Sequence, residues 1–314
     1  INKGDIIMYE KQVSVILVNY NNKDMAIDAV NSVFEKTLGM NFEVIVADDN
    51  SQDNSVQVMK DALGDKIRIV RSQKSLGWGG GCNLGIKNAN GKYVLLLNLD
   101  TEFINNAIMI LYDFMEANPQ AGVCGGNLYN GDGKPTYSYS TTFLKDNQSA
   151  LVNLFKSVKR KMTGRLSGFF NYSNKIKEVD CITGAGMMIR KEAMDKNNIF
   201  FDEDFFTYHA EPEFENRIKK AGYLCYSVPQ AKIIHFEGKT FKGDRERRFR
   251  QYTFGSYLYY EKTYGKDAVK KHFNERKLFT KLVNLISLGF YRKECAMRQK
   301  VLKEEFAHWQ KERG

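Results

Sequence analysis

The segment YVLLLNLDTEF (93–103) is an apolar run that ends on two polar side chains one residue apart, Asn98 and Asp100. A carboxylate at the exposed end of a strand can ligate a hard divalent ion whose remaining positions are open to phosphate oxygens. The alternative is that Asp100 caps a helix beginning near Ile104. Asp48 and Asp49 close another apolar run, VIVADDNS. They are either turn and cap residues or acceptors for the imide N–H of a uracil or thymine base. In KSLGWGGGCNLG (74–85), five glycines fall in the nine residues from Gly77 to Gly85, a density expected where backbone must come close to phosphate or sugar. The spacing fails the dinucleotide fingerprint, because Cys82 stands where a third glycine is required and the segment follows the third apolar run rather than the first. YHAEPEFENR (208–217) gathers Glu211, Glu213 and Glu215 about Pro212. Carboxylates are favoured at a helix start by its dipole, and one of them could serve as a general base. His235 ends the short run KIIH, as a metal ligand or as a hydrogen-bonded core side chain.

These residues need elements to hold them. VSVILVNYNN (13–22), FEVIVADDNS (42–51), KIRIVRS (66–72) and KYVLLLNLD (92–100) are β-branched or aliphatic runs closed by polar residues, which read as buried parallel strands. Between the first two, Met25, Ala26, Val30, Val33 and Phe34 recur at helical spacing; between the second and third, Val56, Val58, Met59 and Leu63 do so. Alternation of strand and helix predicts a doubly wound α/β sheet, whose ligands bind beyond the carboxyl ends of the strands. Residues 19–22, 48–51 and 98–100 fall at such ends. Further on, Asn-Gly-Asp-Gly (130–133) predicts a hairpin turn. The stretch 144–178 reads as a loop or short helices, VDCITGAGMMIRKEAMDKN as a strand entering a helix, and EPEFENRIKKAGY as a helix stopped by Gly222.

The 314-residue chain, 43% hydrophobic, can bury a sizeable core. Its longest apolar stretches run about five to seven residues against the roughly 20 that cross a bilayer, and no signal-peptide pattern opens it. A cytoplasmic protein, soluble or peripheral on the inner face of a cell membrane, is expected. Five scattered cysteines without a C-x-x-C pair argue against a disulfide framework and a zinc site. Of 47 Lys+Arg and 37 Asp+Glu, residues 241–314 hold 19 and 9, leaving 28 of each sign in residues 1–240. The whole excess of +10 therefore lies in the tail, and a boundary is expected near 240 between a domain of residues 1–240 and a basic helical region of 241–314. KLFTKLVNLISLGFYRK (277–293), read as one helix, sets Thr280, Lys281, Asn284, Ser287 and Tyr291 on one face and Leu278, Leu282, Leu285, Ile286 and Phe290 on another. It could lie on an anionic membrane surface, or pack on the core or on a second subunit in a homo-oligomer. Nucleic acid is a poorer partner, because Tyr257, Tyr259 and Tyr260 follow helix packing and not a stacking platform.

Taken together and in order over about residues 12–265, these segments resemble the inverting, GT-A-fold nucleotide-sugar glycosyltransferases, in particular bacterial rhamnosyltransferase-like enzymes of cell-surface polysaccharide synthesis. VIVADDNSQDNS is similar to the base-binding segment, SLGWGGGCNLGI to the glycine-rich segment, LLLNLDTEF to an Asn-first D-x-D motif, GAGMMIRKE to the acceptor-side segment, EPEFENRIKKAGY to the helix bearing the base, and HFEGKT to the metal-proximal turn. The resemblance implies a GT-A catalytic domain with a C-terminal helical extension. It assigns the nucleotide to Asn19, Asn21, Asp48, Asp49, Gly77, Gly80 and Asn83, the diphosphate to Asn98 and Asp100, and the acceptor to Gly184 and Ala185. A Mg²⁺ or Mn²⁺ ion would be held by Asp100 and His235, and the base would be Glu211 or Glu213. The implied reaction moves a sugar from a UDP- or dTDP-sugar to a hydroxyl of a glycan, lipid-linked or protein-linked acceptor. Two departures are evident: Ala210-Glu211 stands where the family has Glu-Asp, and Lys74 where it has Asn. The first keeps open a nucleotide-sugar or glycan binding protein without activity; a nucleotidyltransferase on a similar sheet is the other alternative. A glycoside hydrolase would require a second catalytic carboxyl, and the sequence gives no reason to assign one.

Overall fold

The computed structural model describes residues 9–141, 174–236, 245–287 and 289–313. The chain begins with β1 (Lys11–Asn19), α1 (Lys23–Lys36), β2 (Phe42–Asp48), α2 (Ser55–Leu63), β3 (Arg68–Arg71), α3 (Gly77–Lys87) and β4 (Gly91–Leu97), the expected alternation. β5 (Thr101–Phe103), α4 (Ala107–Ala117), β6 (Ala121–Tyr129), β7 (Tyr139–Ser140), β8 (Lys177–Val179), β9 (Cys181–Ile182), β10 (Gly186–Arg190), α5 (Lys191–Asn197), α6 (Ala210–Lys220) and β11 (Leu224–His235) follow. The tail is α7 (Arg245–Tyr264), α8 (Lys266–Ile286) and α9 (Arg292–Arg313). One nine-stranded sheet runs β3-β2-β1-β4-β10-β6-β11-β5, with β8 also on β11. β1 to β4 are parallel, while β10 runs against both β4 and β6.

That reversal is pinned by Arg190 at the end of β10, which is buried. Its guanidinium donates to the carbonyls of Ala121 at 2.9 Å, Met115 at 2.8 Å and Asn118 at 3.0 Å, and to the Tyr93 hydroxyl at 3.1 Å. Tyr93 in turn donates to Glu116 at 2.7 Å. A planar five-donor group satisfies four acceptors from β4, α4 and its C-terminal turn at once, which an ammonium could not.

Two of the glycines of α3, Gly81 and Gly85, have a packing use. A Cβ on Gly85 would collide with Ile16, and one on Gly81 would lie 2.6 Å from a Val18 methyl. These glycines let the helix sit directly on β1, so helix-to-sheet packing accounts for them without a ligand. β3 is an edge strand with exposed and half-buried side chains, not a buried one. No helix starts at Ile104: residues 101–103 pair with β11, and α4 begins at Ala107 beyond Asn106. The hairpin is present, with the amide of Asn130 donating to the Lys134 carbonyl at 2.8 Å and Gly133 at φ +73°. Gly222, at φ +93°, stops α6.

Tyr257 and Tyr259 of α7 are buried in the same core as Phe205 and Phe214, so the tail packs onto the sheet domain. His272 stacks on Tyr260 at 3.8 Å and is held neutral, its pKa lowered to about 3 chiefly by burial. Residues 277–293 do not form one helix. α8 ends at Ile286, Gly289 turns at φ +79°, and α9 starts at Arg292. Its facing is also the reverse of an ordinary packed helix, because Thr280 is buried while Leu278, Leu285, Ile286 and Phe290 are exposed. The expected boundary near 240, the stretch 144–173 and the last residues of HFEGKT lie outside the described residues.

Replacing Arg190 by Met would strand three main-chain carbonyls and a tyrosine hydroxyl in a dry interior. Each such loss costs about 1–3 kcal/mol, and Arg190→Met is expected to destabilise the protein by at least one such increment. Urea unfolding of the two proteins measures it.

Candidate active site

The turns after β1 and β2 form one polar knot. Asp48 has no exposed surface. Its carboxylate accepts the Asn19 amide at 3.1 Å, the Ser51 hydroxyl at 2.6 Å and the Ser51 amide at 3.1 Å, and lies 3.3 Å from Arg71 Nε. Asn21, with φ +53°, donates its main-chain amide to Ser51 Oγ at 3.0 Å and accepts the Gln52 amide at 2.8 Å. Asp49 accepts the amides of Leu76 at 2.6 Å and Gly77 at 3.1 Å and the Ser75 hydroxyl at 2.7 Å, fixing the start of α3. Here the anion meets the free N–H groups of a helix start, where such a charge is most favoured.

The other two residues expected on the nucleotide side are committed to packing. Both ends of the Asn83 amide bond to the main chain of Phe201, at 2.8 and 2.9 Å, and Gly80 is buried in α3 with Leu76 close against it. What sequence reasoning missed at this corner is Arg71, partly exposed and reaching the Ser51 carbonyl at 2.7 Å, and Tyr20, which is exposed. An Arg closing the third run was the available signal.

Asp100 follows β4, and His235 ends β11. Because β5 pairs His235 with Thr101, these two groups become neighbours. Asp100 Oδ1 lies 3.3 Å from His235 Nε2 without hydrogen-bond alignment, which leaves that buried oxygen and His235 Nδ1 unpartnered among the described residues. A buried carboxylate oxygen left bare beside an imidazole fits a pair of ligands awaiting a cation. Among the described residues no three His, Cys, Asp or Glu side chains cluster as a self-sufficient metal site. Asn98 is half-buried, and its carbonyl accepts the Thr101 hydroxyl at 2.6 Å.

The antiparallel course of β10 sets Gly186 opposite Leu97, so the preceding Gly184 and Ala185 reach the same sheet edge as residues 98–100. There Gly184 meets α6. Any Cβ on it would strike the Trp78 ring and come 3.2 Å from Glu211 Oε1. Desolvation raises the Glu211 pKa above the ordinary glutamate value, while the neighbouring Gly184 main chain favours its charged form. His209, in the left-handed region at φ +70°, turns the chain into α6 just ahead of it. Glu213 is occupied elsewhere: both its oxygens take Arg217 N–H groups, each at 2.7 Å, and Arg217 also donates to the Phe200 carbonyl. The structure thus separates the two candidate bases, one in a cradle of Gly184 and Trp78 and one chelated by an arginine. Trp78 was not singled out in the sequence, although it interrupts the glycine run.

Residues 14–197 match the family model described as glycosyl transferase family 2. An uncharacterized glycosyltransferase of Rickettsia felis is 38% identical over 112 residues, 36% of this chain and 18% of that protein. An Escherichia coli protein described as a UDP-Glc:alpha-D-GlcNAc-diphosphoundecaprenol beta-1,3-glucosyltransferase is 30% identical over 104 residues, 33% of this chain and 41% of its own. The chain thus aligns with less than half the length of either relative. Among solved structures, a Pyrobaculum calidifontis mannosyltransferase in complex with GDP-Man and Mn²⁺ superposes with a TM-score of 0.59 over 98% of this chain and 89% of that one, at 13% identity, a likeness of fold alone.

Loss of one carboxylate oxygen at position 213 breaks a bidentate ion pair but leaves the cradle of Glu211 intact. Glu213→Gln is therefore expected to lower stability by about 1–3 kcal/mol while donor affinity, followed by calorimetry, stays at the wild-type value.

Proposed function

The chain belongs to glycosyl transferase family 2, and from that premise we propose that it moves a sugar from a nucleotide-diphosphate donor to an acceptor hydroxyl with inversion at the anomeric carbon. The observation that carries this reading is the sheet edge at which Glu211, in its Gly184–Trp78 cradle, and the Asp100–His235 pair both stand. The donor's nucleotide lies over the turns at residues 19–22 and 48–51, with Asp48 and Asp49 holding their shape and Tyr20 and Arg71 offering exposed contacts. Asn98 supports the diphosphate. Asp100 and His235 would hold a Mg²⁺ or Mn²⁺ ion, which would supply positive charge beside the departing diphosphate. Glu211 accepts the proton of the acceptor hydroxyl as that oxygen attacks C1 from the face opposite the leaving group. The Gly184 amide steadies the ionised carboxylate, and Ala185 beside it borders the acceptor.

UDP- and dTDP-sugars are the donors proposed, as UDP-Glc is of the E. coli relative, and a lipid-linked or other glycan acceptor is in keeping with that relative's description. Residues 1–240 would carry the chemistry and 241–314 buttress it. A donor panel with Mn²⁺, with and without EDTA, tests the reading by release of UDP or dTDP. Glu211→Gln is expected to keep donor binding and lose about 10²- to 10⁴-fold in turnover, and Asp100→Ala to lose metal-dependent binding. Because turnover needs Glu211 ionised and its pKa is raised, the acid limb of the rate profile should lie above the ordinary glutamate range. Binding without turnover in the wild type would indicate an inactive sugar-nucleotide binder, and pyrophosphate release from nucleoside triphosphates a nucleotidyltransferase.

We propose further that the turn between α8 and α9 rests on an anionic bilayer. Leu285 is 72% exposed, Ile286 55% and Phe290 82%. Residues 277–293 carry four Lys or Arg and no Asp or Glu. Of these, Lys281, Arg292 and Lys293 are exposed and without ion pairs among the described residues. Apolar side chains rimmed by unneutralised cations match an interfacial anchor, and the same charge opposes pairing with a second copy through this face. Among the described residues no helix is long and apolar enough to cross a membrane. Flotation with phosphatidylglycerol-containing vesicles should recover the protein at low salt and not with phosphatidylcholine alone, and Phe290→Ser should abolish recovery. Self-association lost in Phe290→Ser, with no flotation, would overturn the assignment.

A further inference from the structure

The transfer reaction makes no use of Glu215, yet this residue is fully buried on α6 one turn beyond Glu211. Its Oε1 accepts the Ile182 amide at 2.7 Å, and its Oε2 has no hydrogen-bond partner among the described residues. Facing it are the thiols of Cys181 from β9 and Cys225 from β11, Glu211 from its own helix and the Tyr137 phenol. Lys219, near Cys225, is engaged by Asp180 at 2.7 Å. An anion here would have only the weak thiol donors of Cys181 and Cys225 for its second oxygen in a dry interior, and desolvation outweighs their help, so keeping the proton costs less.

Two residues beyond Ile182 is Gly184, so close to Glu211 that a Cβ on it would lie 3.2 Å from Oε1, and its main chain favours the charged form of that carboxyl. The connection between β9 and β10 has little slack, since the Thr183 amide donates to the Ser138 carbonyl at 3.2 Å and Gly184 lies tight against Trp78. We infer that Glu215 is a neutral positioning residue for the base: through the Ile182 amide it clamps the β9–β10 connection to α6 and so holds the Gly184 amide on Glu211. Two carboxyls on one face of a helix are thereby kept in different states. Glu211 is ionised to take a proton, and Glu215 is protonated, so it sets no like charge one turn from the base. Burial pushes Glu215 well above the ordinary carboxyl range, in agreement with this assignment. The role rests on Glu211 being the base, as proposed above.

The sign of the linkage gives a test that needs no donor. A carboxyl whose pKa is raised on folding contributes stability that is fully present below its unfolded value of about 4.5 and is lost as pH rises toward the folded value. Glu215→Gln keeps the acceptor oxygen and has no proton to lose. Its stability relative to wild type should therefore climb as pH rises above about 4.5 in urea titrations. Its kcat should stay within about threefold of wild type, by conservative rescue. Glu215→Met keeps the volume but removes the acceptor. With UDP-glucose and Mn²⁺ as probe, kcat should fall at least about tenfold with KM for the donor unchanged, and the acid limb should move up as Glu211 loses its amide. Amide exchange across residues 181–186 should quicken in Glu215→Met alone.

A pH-independent stability difference for Glu215→Gln, or a wild-type kcat and acid limb in Glu215→Met, overturns the inference. Should Glu215→Met fail to fold, the pH dependence of Glu215→Gln decides alone. Turnover surviving in Glu211→Gln would sink the base assignment instead. A dead Glu211→Gln beside a wild-type-like Glu215→Met sinks only the role of Glu215.

Discussion

The site depends on one internal strand that runs against both its neighbours. β10 lies between β4 and β6 in opposite direction, so its first residues stand where its neighbours end. Had β10 been parallel, Gly184 would lie at the far edge of the sheet from Asp100, and α6 could not reach across to meet it. The reversal is held at its other end by the Arg190 guanidinium, the only group on β10 with enough donors to satisfy the open carbonyls after α4 together with the Tyr93 hydroxyl. A buried cation is costly unless its hydrogen bonds are met; here they are, and the geometry they impose is carried along the strand toward Gly184, which lies against Glu211.

At the ends of β1 and β2 the crevice is lined by groups whose hydrogen bonds are already made to one another. Asp48, Asn19 and Ser51 satisfy each other and Asp49 satisfies the start of α3. Polar residues at strand ends therefore act here first as rigid walls. Rigidity has a use in such a place, since a ligand that meets a preformed surface loses less of its binding energy to ordering the protein. The ends of β4 and β11 differ: Asp100 Oδ1 and His235 Nδ1 have no hydrogen-bond partner among the described residues, and a buried oxygen so placed is a group that a cation can satisfy where a wall residue cannot.

Much of this was legible in the residues alone, for reasons that also mark where legibility stops. Apolar runs of strand length alternating with 3.6-residue periodicity fix the order of β1 to β4 and their helices, because burial on two faces leaves few other patterns. The convergence of Asp100 with His235 was legible only through likeness to a family, since no local rule pairs residues 135 apart. The glycines of α3 show the limit of a single-residue argument. A missing side chain signals close approach but not by what, and the partner proved to be Ile16 and Val18. Glu211 and Glu213 could not be separated in sequence either, because the difference lies in Arg217, one turn on, which takes both oxygens of Glu213 and neither of Glu211.

The basic tail shows why charge and fold must be read separately. Its aromatic residues are enclosed in the same core as the sheet domain, so the net charge of +10 played no part in choosing that packing; surface charge governs partners far more than fold. Where α8 gives way to α9, the two requirements part company. Burying Thr280 while exposing Leu285, Ile286 and Phe290 is unfavourable for a helix hairpin in water. Gly289, in the left-handed conformation, is what permits the turn that presents Phe290 at the tip. A sequence free to bury those side chains could have done so by continuing α8 in register with its neighbours. It turns instead, and Leu285, Ile286 and Phe290 are left on the surface close to Lys281, Arg292 and Lys293, with no Asp or Glu in residues 277–293.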